Sequence, residues 1–124
     1  MIDSKLIDSS VWIAYLLEGE SQEIIESKNI KFISALSLFE IKTKLLKEKM
    51  PKEVISKTLK FIKTNAIIIP VDEKVAESSS EVSLKYALHL ADAIIYYSAI
   101  KSNSELITLD NDFRNLPNAK VISR

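Results

Sequence analysis

The chain has 124 residues, a mass of 14.0 kDa, 47% apolar and 27% charged residues and a formal net charge of zero. That is the size and composition of one folded domain rather than a disordered segment or a two-domain enzyme. Lack of cysteine excludes disulfides, thiolate metal sites and cysteine nucleophiles, and the single His89 excludes any multi-histidine centre, so a bound metal must be held by oxygen.

Short aliphatic runs alternate with longer helical patterns along the chain. A strand at Lys5–Ile7 leads into a helix at Ser10–Leu17, a turn at Glu18–Glu20 around the only glycine, Gly19, and a helix at Ser21–Ser27. A strand at Lys31–Ile33 precedes a helix at Leu38–Lys49, and Pro51 is read as the first residue of a helix running to Thr64. Next come a strand at Ala66–Val71, Asp72 as the N-cap of a helix at Glu73–Tyr86, and a helix at Leu90–Lys101. The chain closes with a strand at Leu106–Leu109, a polar turn at Asn111–Asn115 and a strand at Lys120–Ile122. This alternation predicts a single α/β domain over residues 1–124, with a parallel β-sheet flanked by α-helices on both faces. One glycine is too few for a Rossmann or P-loop phosphate turn.

No apolar run approaches the ~18 residues of a membrane span, and the start MIDSKLIDSS carries two acids and no signal-type apolar stretch. A soluble cytoplasmic protein with no membrane partner is expected. The zero net charge conceals a basic block: residues 42–63 hold eight lysines against Glu48 and Glu53, while residues 1–41 hold three lysines against seven acids. The lysines suit either the solvated faces of two helices or a phosphate-facing patch.

Asp8 ends the first strand in LIDSS and Asp110 ends the fourth in LITLD, both at the strand ends where open α/β sheets bind ligands. Asp8 also suits an N-cap. Glu40 fits a capping box with Ser37, on a helix whose apolar face is read from Leu36, Phe39, Leu45 and Leu46. Asp92 resists a structural reading, because LHLADAIIYYSAI is apolar all round and a buried lone carboxylate costs several kcal/mol unless paired or metal-bound. His89 reads as a packed or capping side chain. Ser78–Ser80 lack the base and glycine elbow of a serine nucleophile. Trp12, Tyr15 and Phe39 read as core, with a partner-binding groove as the alternative for Trp12 and Tyr15.

The blocks IDSSVWIAYL, SALSLFEI, LHLADAIIYYSAI and LITLDNDF, in this order and spacing, resemble the PIN domain, and most closely the VapC-type toxin ribonucleases. The resemblance spans residues 6–122. It implies an acidic catalytic and metal-binding pocket at Asp8, Glu40, Asp92 and Asp110, with Asp112 as an accessory acid, Ser9 and Thr108 as hydroxyl positions, and Lys42 and Lys44 near RNA. It further implies an RNA substrate, a small antitoxin protein that blocks the pocket, and a homodimer.

Converging carboxylates repel one another, so at least one pKa should rise and a hard divalent cation should relieve the repulsion. Oxygen-only ligands favour Mg2+ or Mn2+. The expected reaction is metal-dependent hydrolysis of an RNA phosphodiester, with Asp8, Asp92 and Asp110 as ligands and Glu40 as a ligand or as the group that orients water. Two rivals are a receiver-like phosphorylation domain, which would need an acidic pair after strand one, and a PIN-like binding module that has lost its chemistry. A housekeeping RNA-processing nuclease of the same fold is a third.

Overall fold

The computed structural model describes residues 3–123. Its elements in chain order are β1 (Ser4–Ile7), α1 (Ser9–Glu18), α2 (Gln22–Ile25), β2 (Ile30–Ser34), α3 (Ala35–Lys47), α4 (Lys52–Asn65), β3 (Ile67–Ile69), α5 (Glu73–Tyr86), α6 (Leu90–Lys101), β4 (Glu105–Thr108), a 3-10 turn (Asn111–Phe113) and β5 (Ala119–Val121). The strands form one sheet in the order β3-β2-β1-β4-β5, and every pairing is parallel.

Period-two alternation assigns each face of the sheet to its own core. On β1 and β4, Ile7 and Ile107 point to one face and join Val11, Trp12, Ile33, Ile41, Leu45 and Ile62 beneath the α1–α4 layer. Leu6 and Leu106 point to the other and join Ala93, Ile95, Tyr96, Ala99 and Phe113 beneath α6. Helix α6 is packed between the sheet and α5, which is why it can be apolar all round, with Ala93, Ile94, Ile95, Tyr96, Ser98 and Ala99 all buried.

The chain leaves β1 toward β2 on one side and later returns to β4 on the other, so the strand order reverses between β1 and β4. Ligand crevices in open parallel sheets lie at such a reversal, beyond the carboxyl ends of the strands. Asp8 follows β1 directly, and its backbone N–H donates to Ile107 O at 3.0 Å, locking the two strand ends in register.

Several expectations are corrected. Helix α3 starts at Ala35 rather than Leu38, capped by the buried Ser34, whose hydroxyl accepts from Leu36 N at 3.1 Å. Ser37 is therefore inside the helix, and the Ser37–Glu40 capping box does not form. The core-facing stripe of α3 runs through the partly buried Leu38 and the buried Ile41 and Leu45, while Phe39 is 61% and Leu46 56% exposed, so Phe39 is not core. Pro51 is the N-cap of α4 and not its first residue. β3 stops at Ile69, where Pro70 has no N–H to continue the ladder. Trp12 is fully buried, which removes it as a groove residue. Asp72 caps α5 as expected, accepting from Val75 N at 2.9 Å.

Candidate active site

At the β1–β4 reversal, Asp8 is 6% exposed. It occupies the N-cap position of α1 yet makes no side-chain cap bond. Its Oδ2 instead accepts from the Thr108 hydroxyl at 2.7 Å and the Ser10 hydroxyl at 2.8 Å. Burial pushes the Asp8 pKa up, against the pull of these two donors, and the charge of Asp110 adds to the rise. The same Thr108 oxygen accepts from Asp110 N at 3.0 Å, and the Ser10 oxygen accepts from Leu109 N at 3.1 Å. Two hydroxyls thus bind the end of β1 to the end of β4.

Asp110 caps the 3-10 turn, its Oδ1 accepting from Asp112 N at 2.9 Å, and this turn brings Asp112 back toward Asp92. Asp92 sits in the first turn of α6, where the helix dipole favours a carboxylate. Burial nevertheless raises its pKa to about 6, helped by the charges of Asp110, Asp112 and Asp8. Asp92, Asp110 and Asp112 each offer one carboxylate oxygen, and these oxygens lie within 4.8 Å of one another.

Glu40 reaches the pocket from α3 and is half-buried; its Oε1 accepts from the Ser9 hydroxyl at 3.0 Å. Burial raises its pKa, and the charges of Asp8 and Asp110 raise it further against the Ser9 hydrogen bond. Asp8 and Glu40 stand outside the carboxylate triplet but share its field. Asp112, read from the sequence as an accessory acid, is a full member of the triplet.

An oxygen-only donor set in which burial and the neighbouring carboxylates raise the pKa of Asp92 fits a hard divalent cation, whose charge would relieve the repulsion. Lys42 and Lys44 are exposed on α3, and Lys44 makes a surface contact with Glu48 at 3.8 Å. All eight lysines of the basic block are solvent-exposed. Ser10, which holds Asp8, is not marked out by composition or spacing. Its signal is the doubled serine after the acid, which also reads as an ordinary helix start. His89 lies at the N-cap of α6, exposed and without a side-chain cap bond, so it is neither packed nor capping.

A family profile described as "PIN domain" matches residues 5–119. No curated protein sequence matches the chain. Among solved structures, the chain is similar to a toxin–antitoxin complex from Klebsiella pneumoniae, at 23% identity and a TM-score of 0.81, over 97% of this chain and 99% of that one. It is similar to VapBC2 from Rickettsia felis bound to a DNA fragment from their promoter, at 19% identity and a TM-score of 0.75, over 97% and 98% of the two chains. It is also similar to VapC20 from Mycobacterium tuberculosis, a sarcin-ricin loop cleaving toxin, at 18% identity and a TM-score of 0.69, over 88% and 92%.

Proposed function

The chain belongs to the PIN domain family, and we propose that it is a Mg2+- or Mn2+-dependent endoribonuclease, the toxin of a VapBC-type toxin–antitoxin pair. The observation that carries the reading is the acidic pocket at the β1–β4 reversal, where three carboxylates offer oxygens within 4.8 Å and Asp92 is held at a pKa of about 6. The non-catalytic reading would leave such a costly arrangement without a role.

Asp92, Asp110 and Asp112 would hold the cation, with Asp8 close behind them. The ion, when bound, supplies Lewis-acid stabilisation for the charge that develops on the phosphate and makes a neighbouring water more acidic. The other work falls to the chain's own groups. Glu40, aimed by the Ser9 hydroxyl and less acidic than a free glutamate, orients the attacking water and accepts its proton. Asp8 is fixed by Ser10 and Thr108, so its negative charge keeps one position through the reaction. The exposed lysines of α3 and α4, Lys42 and Lys44 among them, hold the RNA backbone without choosing its sequence.

Structural neighbours that are toxin–antitoxin complexes support a small antitoxin as partner. Phe39 and Leu46 on α3, and Phe61 on α4 stacked on Tyr15 at 6.1 Å, are the exposed apolar surface for it. A homodimer would use the α5–α6 face, where Leu84 and Leu90 are 88% and 78% exposed beside a groove of about 420 Å3. Among the described residues no helix is long and apolar enough to cross a membrane, and the site of action we propose is the cytoplasm.

The test is cleavage of labelled RNAs by purified protein, free of any co-purified inhibitor, with Mg2+, Mn2+ or EDTA, for wild type and Asp92→Asn. Cleavage that requires metal and vanishes in the variant is the expected result. A folded wild type that cuts nothing with either metal, or a variant as active as wild type, overturns the assignment.

A further inference from the structure

We propose that His89 is a substrate-contacting residue, its ring N–H donating to the phosphodiester backbone of the RNA where the strand passes Asp92 and Asp112. This rests on the ribonuclease reading of the same pocket.

His89, Asp92 and Asp112 line one cavity of about 120 Å3, completed by Ala87 and Leu88. Among those five residues only His89 carries a side-chain hydrogen-bond donor. A phosphate approaching the two carboxylates on this side is repelled by both, and a donor at the rim is what offsets that repulsion before and after the cation is engaged. Neutral imidazole keeps one N–H and imidazolium has two, so the contact exists in either protonation state.

The side chain is also left free by its helix. N-cap positions favour Ser, Thr, Asp or Asn, because these close a bond to the first turn, and His89 closes none. Asp8, also a cap residue without a cap bond, has its carboxylate committed to the pocket instead.

The backbone beneath His89 is held on both sides. Ala87 takes a left-handed conformation at φ 55, costly for a residue with a Cβ. Leu88 is anchored to Ser83 twice, through its N–H to Ser83 O at 3.1 Å and through the Ser83 hydroxyl to Leu88 O at 2.7 Å. On the helix side, His89 O accepts from Ala93 N at 2.9 Å. A strained and doubly anchored turn presents an exposed imidazole at a fixed point of the pocket rim, which is the property a substrate contact needs.

The experiment compares wild type with His89→Ala, His89→Phe and His89→Gln. Steady-state cleavage of a labelled RNA with Mn2+ gives KM and kcat, and fluorescence anisotropy of the same RNA in EDTA gives Kd. Loss of one hydrogen bond predicts KM and Kd about three- to tenfold higher in the Ala and Phe variants, with kcat within about twofold of wild type. The Gln variant, which keeps a donor amide, should recover most of the affinity. Unchanged KM and Kd in His89→Ala overturn the proposal, as does full rescue by Phe, which would mean stacking. A fall in kcat alone also overturns it, because the residue would then act on the chemistry. If the Ala variant melts well below wild type, the Gln and Phe pair still decides between donor and ring. Wild type that neither binds nor cuts RNA defeats the ribonuclease reading itself, whereas active wild type with an indifferent Ala variant defeats only the role of His89.

Discussion

The Thr108 hydroxyl donates to Asp8 Oδ2 at 2.7 Å and accepts from Asp110 N at 3.0 Å, so one side chain joins the two acids that end β1 and β4. Both Thr108 and Asp8 are buried, and neither group has water to fall back on. Thr108→Val keeps the shape and removes both hydrogen bonds. Leaving a buried carboxylate and a backbone N–H short of a partner costs about 1–3 kcal/mol. The expected result in urea unfolding is a loss of that order, with Thr108→Ser close to wild type. A Thr108→Val protein as stable as wild type would show that the hydroxyl bridge contributes nothing.

The two serines after Asp8 face different acids and should separate experimentally. Ser10 supports Asp8, which is nearly fully buried, and also accepts from Leu109 N, whereas Ser9 supports the half-buried Glu40. Ser10→Ala should lower stability by about 1–2 kcal/mol. Ser9→Ala should cost less in stability, because water can replace part of the lost bond, but should slow cleavage by releasing the Glu40 carboxylate from its aim. Denaturant midpoints and initial rates on the same two variants check this, and the reverse ranking in stability would contradict the burial argument.

Association through the α5–α6 face predicts that Leu84→Glu weakens a dimer. Leu84 is 88% exposed beside a groove lined by small residues of α5, so the substitution costs the monomer little and buries a charge in the paired state. Sedimentation velocity should show wild type as a dimer and Leu84→Glu as a monomer of unchanged melting temperature. A variant that remains dimeric places the contact elsewhere.

The fold was legible where local chemistry and packing agree. Helices α5 and α6 fall on the expected bounds, because Asp72 is a true side-chain cap and the all-apolar run of α6 has no reading other than a buried helix. Helix α3 was less legible because it carries two apolar stripes, one through Leu38, Ile41 and Leu45 and another through Phe39 and Leu46. Spacing alone cannot say which of them meets the sheet. Asp8, Asp110 and Asp92 were legible because each ends a strand or interrupts an apolar segment, whereas Glu40 suited a helix cap equally well and Asp112 entered only through the family resemblance. Their ranking was not legible, since the tight approach of Asp112 to Asp92 depends on the 3-10 turn after Asp110. Ser10 was hidden for a similar reason: its partners Asp8, Thr108 and Leu109 come together only once β1 and β4 pair.

The last prediction sets stability against function at Asp92. Its folded pKa of about 6 lies above its ordinary value of 3.8. The folded state therefore holds this proton more tightly than the unfolded chain does, and stability falls as pH rises from about 4 to about 6, after which the full penalty stays. Without metal, Asp92→Asn should be more stable than wild type at pH 7 and should show a flatter dependence between pH 4 and 6. A divalent cation at about 100 times its Kd should stabilise wild type by roughly 2.7 kcal/mol through mass action. That gain should shrink below pH 6, where Asp92 takes up its proton, and should be much smaller in Asp92→Asn and Asp110→Asn. Melting curves across pH, with Mn2+ or with EDTA, test all three statements on the same proteins. If Asp92→Asn is destabilised at neutral pH in EDTA, the carboxylate is contributing to the fold and is not a charge kept against its cost for a ligand.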